Sequence, residues 1–189
     1  MKRIVVFASG EGTNTQHLID YFDGNDLRIT LIICNNPNAN VLRRAEKHSV
    51  PTLLINKEDF NNGDSVLKRV IAEKPDLIIC AGFLWKIPDN ILHSFPYKVV
   101  NIHPALLPKF GGKGMYGMNV HKAVIAAGEK ESGITIHYLN EQYDEGKIIF
   151  QATCEVKKDD TPETLAQKVQ ELEHTYFAKT VEHLLKNKS

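Results

Sequence analysis

Cysteine is scarce in this 189-residue chain, and the three present, Cys34, Cys80 and Cys154, stand far apart with no paired spacing. That argues against a disulfide framework and against a zinc site, and it points to the cytoplasm. A surplus of either charge is missing too: 23 Lys+Arg balance 23 Asp+Glu, with a sequence pI near 7.1. Proteins whose main partner is nucleic acid or an anionic membrane carry a basic excess, and this one has none. Long apolar runs are also absent. The longest are strand-sized, well short of the ~20 residues of a membrane span. The first, Ile4–Ala8, follows Met1-Lys2-Arg3 directly and is too short for a signal-peptide core. No repeat, low-complexity tract or linker divides the chain. At 42% hydrophobic and 24% charged, it is expected to form one globular domain with a sizeable core.

What is present is alternation. Short apolar runs exchange with amphipathic stretches, which predicts an α/β fold with a Rossmann-like, mostly parallel sheet flanked by helices. Strands are expected at Arg3–Ala8, Ile29–Cys34, Thr52–Ile55, Leu77–Cys80 and Lys98–Ile102. Helices are expected at Thr15–Phe22, Val41–His48, Asp64–Glu73 and Asp89–Ser94. Beyond residue 103 the character changes. Pro104–Pro108 and Gly111–Gly114 combine proline stops with glycine freedom and read as irregular. A short helix, Asn119–Ala127, precedes two strands, Gly133–Leu139 and Lys147–Val156, whose intervening turn suggests a C-terminal antiparallel portion. The last helix is long: Thr161 is a good N-cap, Pro162 suits the first position, Glu163 complements the dipole, and an apolar stripe runs to Leu185. One catalytic domain is expected over residues 1–189, nucleotide-binding-like to about residue 100 and catalytic from 101 onward.

Ser9-Gly10-Glu11-Gly12-Thr13-Asn14 lies where the first strand hands over to the first helix. Glycines there let backbone approach a ligand, and the helix-start N–H groups attract an anion. A dinucleotide fingerprint would need a third glycine at residue 15 and an acidic end to the second strand. Residue 15 is Thr, and that strand ends Cys34-Asn35-Asn36, which argues against NAD. A P-loop would need Gly-Lys-Ser/Thr, yet Gly112-Lys113 is followed by Gly114. The residues leave two readings: a cradle for one phosphate group, or a tight turn with no ligand.

Asn101-Ile102-His103 ends the fifth strand, at the edge where open α/β sheets bind ligands. Alternation points Asn101 and His103 the same way and Ile102 into packing. An amide donor beside an imidazole suits acyl transfer: one stabilises an oxyanion, the other moves a proton near neutral pH. Asp144, in Gln142-Tyr143-Asp144-Glu145-Gly146, is the candidate carboxylate for holding the imidazolium. A strand-end His is also a common structural residue and an Asp before Gly a common turn former, so both readings stand on residues alone. His17, His48 and His93 show no metal-ligand spacing.

Taken together, these segments resemble the glycinamide ribonucleotide formyltransferases, folate-dependent enzymes of purine synthesis, over nearly the whole chain. The carriers are Ser9–Asn14, Ala81-Gly82-Phe83, Asn101-Ile102-His103-Pro104 with Leu106-Leu107-Pro108, Gly133–His137 leading to Asp144-Glu145-Gly146, and Glu171-Leu172-Glu173-His174. The resemblance implies a formyltransferase fold and a reaction in which the glycinamide amine attacks the formyl carbon of 10-formyltetrahydrofolate. Asn101 and His103 would stabilise the oxyanion, His103 would donate the proton, and Asp144 would keep His103 protonated. Gly12, Thr13 and Asn14 would hold the substrate phosphate, and Glu173 the glycinamide portion. Leu84, Trp85, Lys86 and Ile87 would line the folate pocket, together with Asn101. The resemblance implies no metal, small-molecule substrates only, and a monomer or homodimer in the cytoplasm.

The chain departs from the family pattern in three places. Trp85-Lys86 stands where many members carry Arg, and no second arginine occurs around Phe60–Gly63. Phe110–Asn119 is glycine-rich and longer than in many relatives, either a lid over substrate or a surface insertion. Other functions within reach are a different folate-dependent N-formyltransferase, a formyltetrahydrofolate deformylase-like hydrolase, and a non-catalytic nucleotide-binding domain. Methionyl-tRNA and sugar formyltransferases carry further C-terminal modules and the deformylases an N-terminal one. At 189 residues the chain is expected to hold the catalytic domain and little else.

Overall fold

Ile4 through Ala8 are fully buried, and successive residues go to two different cores. Ile4, Val6 and Ala8 face one, and Val5 and Phe7 the other. A strand covered on both faces must be apolar throughout, which is why this run shows no polar alternation. The computed structural model describes residues 1–62 and 64–187. Gly63, the end of the arginine-free stretch, lies outside the described residues, as do 188–189.

The strand Ile4–Ala8 belongs to, β1 (Lys2–Ala8), is central in a seven-stranded sheet of order β3-β2-β1-β4-β5-β6-β7. β2 (Leu27–Cys34), β3 (Thr52–Leu54), β4 (Leu77–Cys80) and β5 (Val99–His103) run parallel with it. β6 (Glu131–Tyr138) runs antiparallel to β5, and β7 (Ile148–Glu155) antiparallel to β6. One face carries α1 (Thr13–Phe22), α2 (Asn40–Lys47), α6 (Met118–Ala126) and α7 (Pro162–Lys186), which supply Leu18, Val41, Val120 and Val169 to its core. The other carries α3 (Lys57–Asn62), α4 (Ser65–Glu73) and α5 (Asp89–Ser94), through Phe60, Val66 and Ile91. The expected architecture is therefore the observed one.

The chain leaves β1 towards β2 and β3, then returns to β4 on the other side. This reversal splays the loops after β1 and β4 apart and opens a crevice at their carboxyl ends. Two hydrogen bonds tie the loops at its base: Ser9 N–H donates to the Gly82 carbonyl (3.1 Å), and Leu84 N–H to Ser9 Oγ (2.9 Å). β5 is the junction strand, parallel to β4 and antiparallel to β6. Val100 and Ile102 enter the α7-side core, so Asn101 and His103 face the other way, as alternation requires. On β6, Ile134 and Ile136 enter the same core, leaving Thr135 and His137 opposite His103 and Asn101 in register. Gly133 sits mid-strand because a Cβ there would lie 1.9 Å from the Ala152 carbonyl oxygen.

α7 begins with a reciprocal cap: Thr161 Oγ1 accepts from Thr164 N–H, and Thr164 Oγ1 from Thr161 N–H. Several bounds move by a residue or two, with β2 starting at Leu27 and β6 at Glu131, and two differences have a clear cause. α1 starts at Thr13 rather than Thr15, because Gly12 at φ 71° already turns the chain into the helix. α3 was not expected at all, since its sequence Lys-Glu-Asp-Phe-Asn-Asn holds one apolar residue. That residue, Phe60, is 1% exposed and anchors the turn to the core.

Candidate active site

One histidine of β5 and one of β6 meet around a carboxylate from the β6–β7 turn. Asp144 places Oδ2 3.7 Å from His103 Nδ1 and Oδ1 3.6 Å from His137 Nε2. Both are ion-pair distances, longer than direct hydrogen bonds. Oδ2 instead accepts the Gly112 N–H at 2.9 Å. Asp144 has φ 56°, a conformation an Asp side chain tolerates better than most.

The two histidines are held differently. His103 Nε2 lies 2.7 Å from the Phe110 carbonyl, so acceptors face both of its ring nitrogens. His137 meets an acceptor at Nδ1, the Tyr138 carbonyl at 3.0 Å, and the Asn101 amide at Nε2, 3.2 Å away. That pairing fits a neutral ring protonated at Nδ1, with Nε2 accepting from the Asn101 Nδ2 amide. Burial pushes the His137 pKa down, opposed by the Asp144 charge and the Tyr138 hydrogen bond; the nearby His103 lowers it further. An amide nitrogen carries two protons. One spent on His137 fixes the Asn101 plane and leaves the other to donate elsewhere.

At the far end of the crevice, α1 starts with no side-chain cap. Its first N–H groups have no helical partner, as at any helix start. Gly12 permits the turn in two ways: its φ is 71°, and a Cβ would lie 2.6 Å from Val41 Cβ and Cγ2. Thr13 Oγ1 accepts from Gln170 Nε2 (3.3 Å), and Asn14 Nδ2 donates to Glu173 Oε2 (2.9 Å), so α7 closes this end. Burial pushes the Glu173 carboxyl pKa up against the hydrogen bond from Asn14, which lowers it. Asn14 Oδ1 is buried without a partner.

The third wall follows β4. Trp85 leans on Phe60 (ring centroids 5.7 Å) and meets Phe83 edge-on (6.2 Å). Leu84 is exposed, Ile87 is buried, and Lys86 pairs with Asp89 at 3.5 Å. Phe60, Phe83 and Trp85 thus give this wall an aromatic shelf.

One cavity of about 840 Å3 touches every residue named above as a site candidate: Gly12, Thr13, Asn14; Leu84, Trp85, Lys86, Ile87; Asn101, His103, Asp144; and Glu173. The glycine-rich stretch lines it as well, from Gly112 to Met118. This stretch is bonded to the acid–base centre through Phe110 and Gly112. Among the described residues, no group of three or more His, Cys, Asp or Glu could hold a metal ion, and no helix is long and apolar enough to cross a membrane.

Sequence reasoning passed over several participants. His137 and Thr135 lie on the site face of β6, and period-2 alternation through Ile134-Thr135-Ile136-His137 was the available signal. Thr135 Oγ1 donates to the Ala105 carbonyl and accepts from Leu107 N–H, which clamps the irregular segment after His103. Gln170 and His121 also line the cavity, and nothing local in the sequence marks them.

The chain is similar to known proteins over nearly its whole length. The sequence pattern of the formyl transferase family matches residues 2–181. A Bacillus subtilis protein named phosphoribosylglycinamide formyltransferase is 33% identical over 191 residues, 98% of this chain and 95% of its own. An Arabidopsis thaliana chloroplastic protein of that name is 35% identical over 187 residues, 95% of this chain but 64% of its own length. For the chloroplastic relative from Vigna unguiculata, the share of its own length is 61%. The chain thus spans under two thirds of these plant relatives. Crystal structures of phosphoribosylglycinamide formyltransferases from Anaplasma phagocytophilum and Bacillus halodurans superpose with TM-scores of 0.90 and 0.89. Their sequences are 31% and 30% identical, covering 99% and 100% of this chain and 88% and 97% of theirs.

Proposed function

We propose that this chain, which belongs to the formyl transferase family, moves the formyl group of 10-formyltetrahydrofolate onto the amine of glycinamide ribonucleotide. The products are formylglycinamide ribonucleotide and tetrahydrofolate, a step of purine biosynthesis. The observation that carries the reading is a cavity with an uncapped helix start at one end, an aromatic shelf at the other, and Asn101, His103 and Asp144 between them.

The chemistry follows from these groups. The amine nitrogen attacks the formyl carbon, its new bond forming as the carbonyl pair moves onto oxygen. Asn101 meets that oxyanion with the amide proton His137 does not use. The imidazolium of His103 adds charge stabilisation and supplies the proton that the departing folate nitrogen requires. Asp144 takes up the proton that the attacking amine loses. Substrate binding exchanges the Phe110 carbonyl at His103 Nε2 for the reacting groups, as contacts in ligand-free sites commonly tighten only on substrate. Gly12, Thr13 and Asn14 receive the phosphate at the α1 N-terminus, and Glu173 receives the glycinamide portion. Leu84, Trp85, Lys86 and Ile87 flank the folate ring system, where stacking replaces the fork of an arginine. We place the reaction in the cytoplasm, in keeping with three free cysteines, two of them buried.

A formyl-transfer assay with both substrates tests the proposal directly. Turnover is expected with the ribonucleotide, and a phosphate-free glycinamide riboside should need at least ten-fold more substrate for half-maximal rate. No turnover with either acceptor would defeat the assignment, and equal KM values would remove the phosphate cradle.

A further inference from the structure

One buried titratable side chain lines the cavity without a role in the reaction above. His121, in the first turn of α6, is 5% exposed. Its Nδ1 is sealed inside the protein with no hydrogen-bond partner. Among the described residues, none bonds to Nε2 either, although that atom is not among the sealed ones. A buried N–H without an acceptor is rarer than a buried lone pair without a donor, so the ring proton belongs on Nε2. Protonating Nδ1 would create such an orphan. Burial and the neighbouring His103 both push the ring's pKa down, in keeping with a neutral imidazole. His121 therefore presents one neutral N–H donor to the cavity.

Its position selects the ligand. His121 and His103 line the same cavity, and the charge of His103 disfavours a second charge on His121. Its neighbours Val120 and Val124 share a core with Leu165 and Val169 of α7, the helix that brings Gln170 and Glu173 to the cavity. The folate shelf is built from the loop after β4 instead. Resting on the proposed formyl transfer, we infer that His121 donates from Nε2 to an oxygen of the ribonucleotide substrate next to its amine. The residue binds the acceptor and holds the amine in line for attack; it transfers no proton.

The experiment compares the wild type with His121→Phe, which fills the space without a donor, and His121→Gln, which restores an N–H near the position of Nε2. Ribonucleotide Kd is read by calorimetry, folate binding by quenching of Trp85, the chain's one tryptophan, and stability by thermal melting. His121→Phe should raise the Kd and KM for ribonucleotide about ten-fold, the loss of one neutral hydrogen bond into a desolvated site. Folate binding should stay unchanged, and His121→Gln should recover most of the affinity. Tm should hold or rise, because an unpartnered buried polar group is removed. Unchanged ribonucleotide affinity in His121→Phe overturns the inference. So does a lowered Tm with both ligands weakened together, the mark of a structural role. Wild-type binding without turnover would instead count against formyl transfer alone, since the Kd comparison is independent of it.

Discussion

Replacing Gly12 by Ala should loosen the phosphate end of the site, and the structure sets the scale. A Cβ at this position would lie 2.6 Å from Val41 Cβ and Cγ2 and 2.9 Å from Val41 Cα, each well inside contact distance. The φ of 71° adds about 1–2 kcal/mol for any residue with a side chain. Relief by moving the loop is resisted, because Val41 N–H donates to the Gly10 carbonyl (3.1 Å) and Arg44 Nε to the Glu11 carbonyl (2.7 Å). Overpacking of this kind costs about 1–3 kcal/mol. A total of about 3 kcal/mol corresponds to a fall in Tm of roughly 6–12 °C for a chain of this size. Gly12→Ala and Val41→Ala, alone and combined, form a cycle read by calorimetric melting and ribonucleotide Kd. Val41→Ala removes the Cγ2 contact but leaves those with Cβ and Cα, and the backbone term, so the double variant should be about 1 kcal/mol more stable than additivity predicts. Full additivity, or a Gly12→Ala variant as stable as the wild type, would refute the packing argument.

Three further outcomes are expected. His103→Ala should lower kcat by at least a hundred-fold while calorimetry still detects ribonucleotide; retained turnover would reject it as the proton donor. Asp144→Asn suits the left-handed φ, so melting should change little while single-turnover rates fall at least ten-fold; an unaltered rate would detach Asp144 from the chemistry. Glu173 has its folded pKa raised, so its contribution to stability is full below the unfolded carboxylate value and is lost as pH rises through the folded one. Glu173→Gln should therefore melt higher than the wild type at pH 8, with the gap closing towards pH 4, and should bind ribonucleotide more weakly. A gap independent of pH would contradict the assignment.

The sheet was legible because each strand carries its own evidence. Leu77–Cys80 and Ile4–Ala8 are unbroken apolar runs, and both are buried on two faces. α3 was not legible, because a single buried Phe60 carries no period and the packing that holds it comes from Phe7 and Phe83, distant in sequence. Asn101 and His103 could be paired by alternation along one strand. That Asp144 would approach them depended on how residues 139–147 return between β6 and β7, a matter of backbone contact. Tyr138 N–H donates to the Lys147 carbonyl, and Gly146 packs where a Cβ would strike the Tyr138 carbonyl. His121 stayed hidden for a different reason. A histidine among Val120, Ala123 and Val124 reads as part of a helix face, and only its missing hydrogen bonds set it apart.

The hydrogen bond from Asn14 to Glu173 joins residues 159 positions apart. Asn101, His103 and Asp144, in contrast, fall within one stretch of the chain, where β5 pairs with β6. During synthesis the end of the cavity at α1 therefore waits for the last helix to dock against the first. A nascent chain lacking α7 would lack Gln170 and Glu173 at the cavity and Leu165, Val169 and Phe177 in the core, so one wall of the crevice and one face of the sheet are completed together, by the last helix.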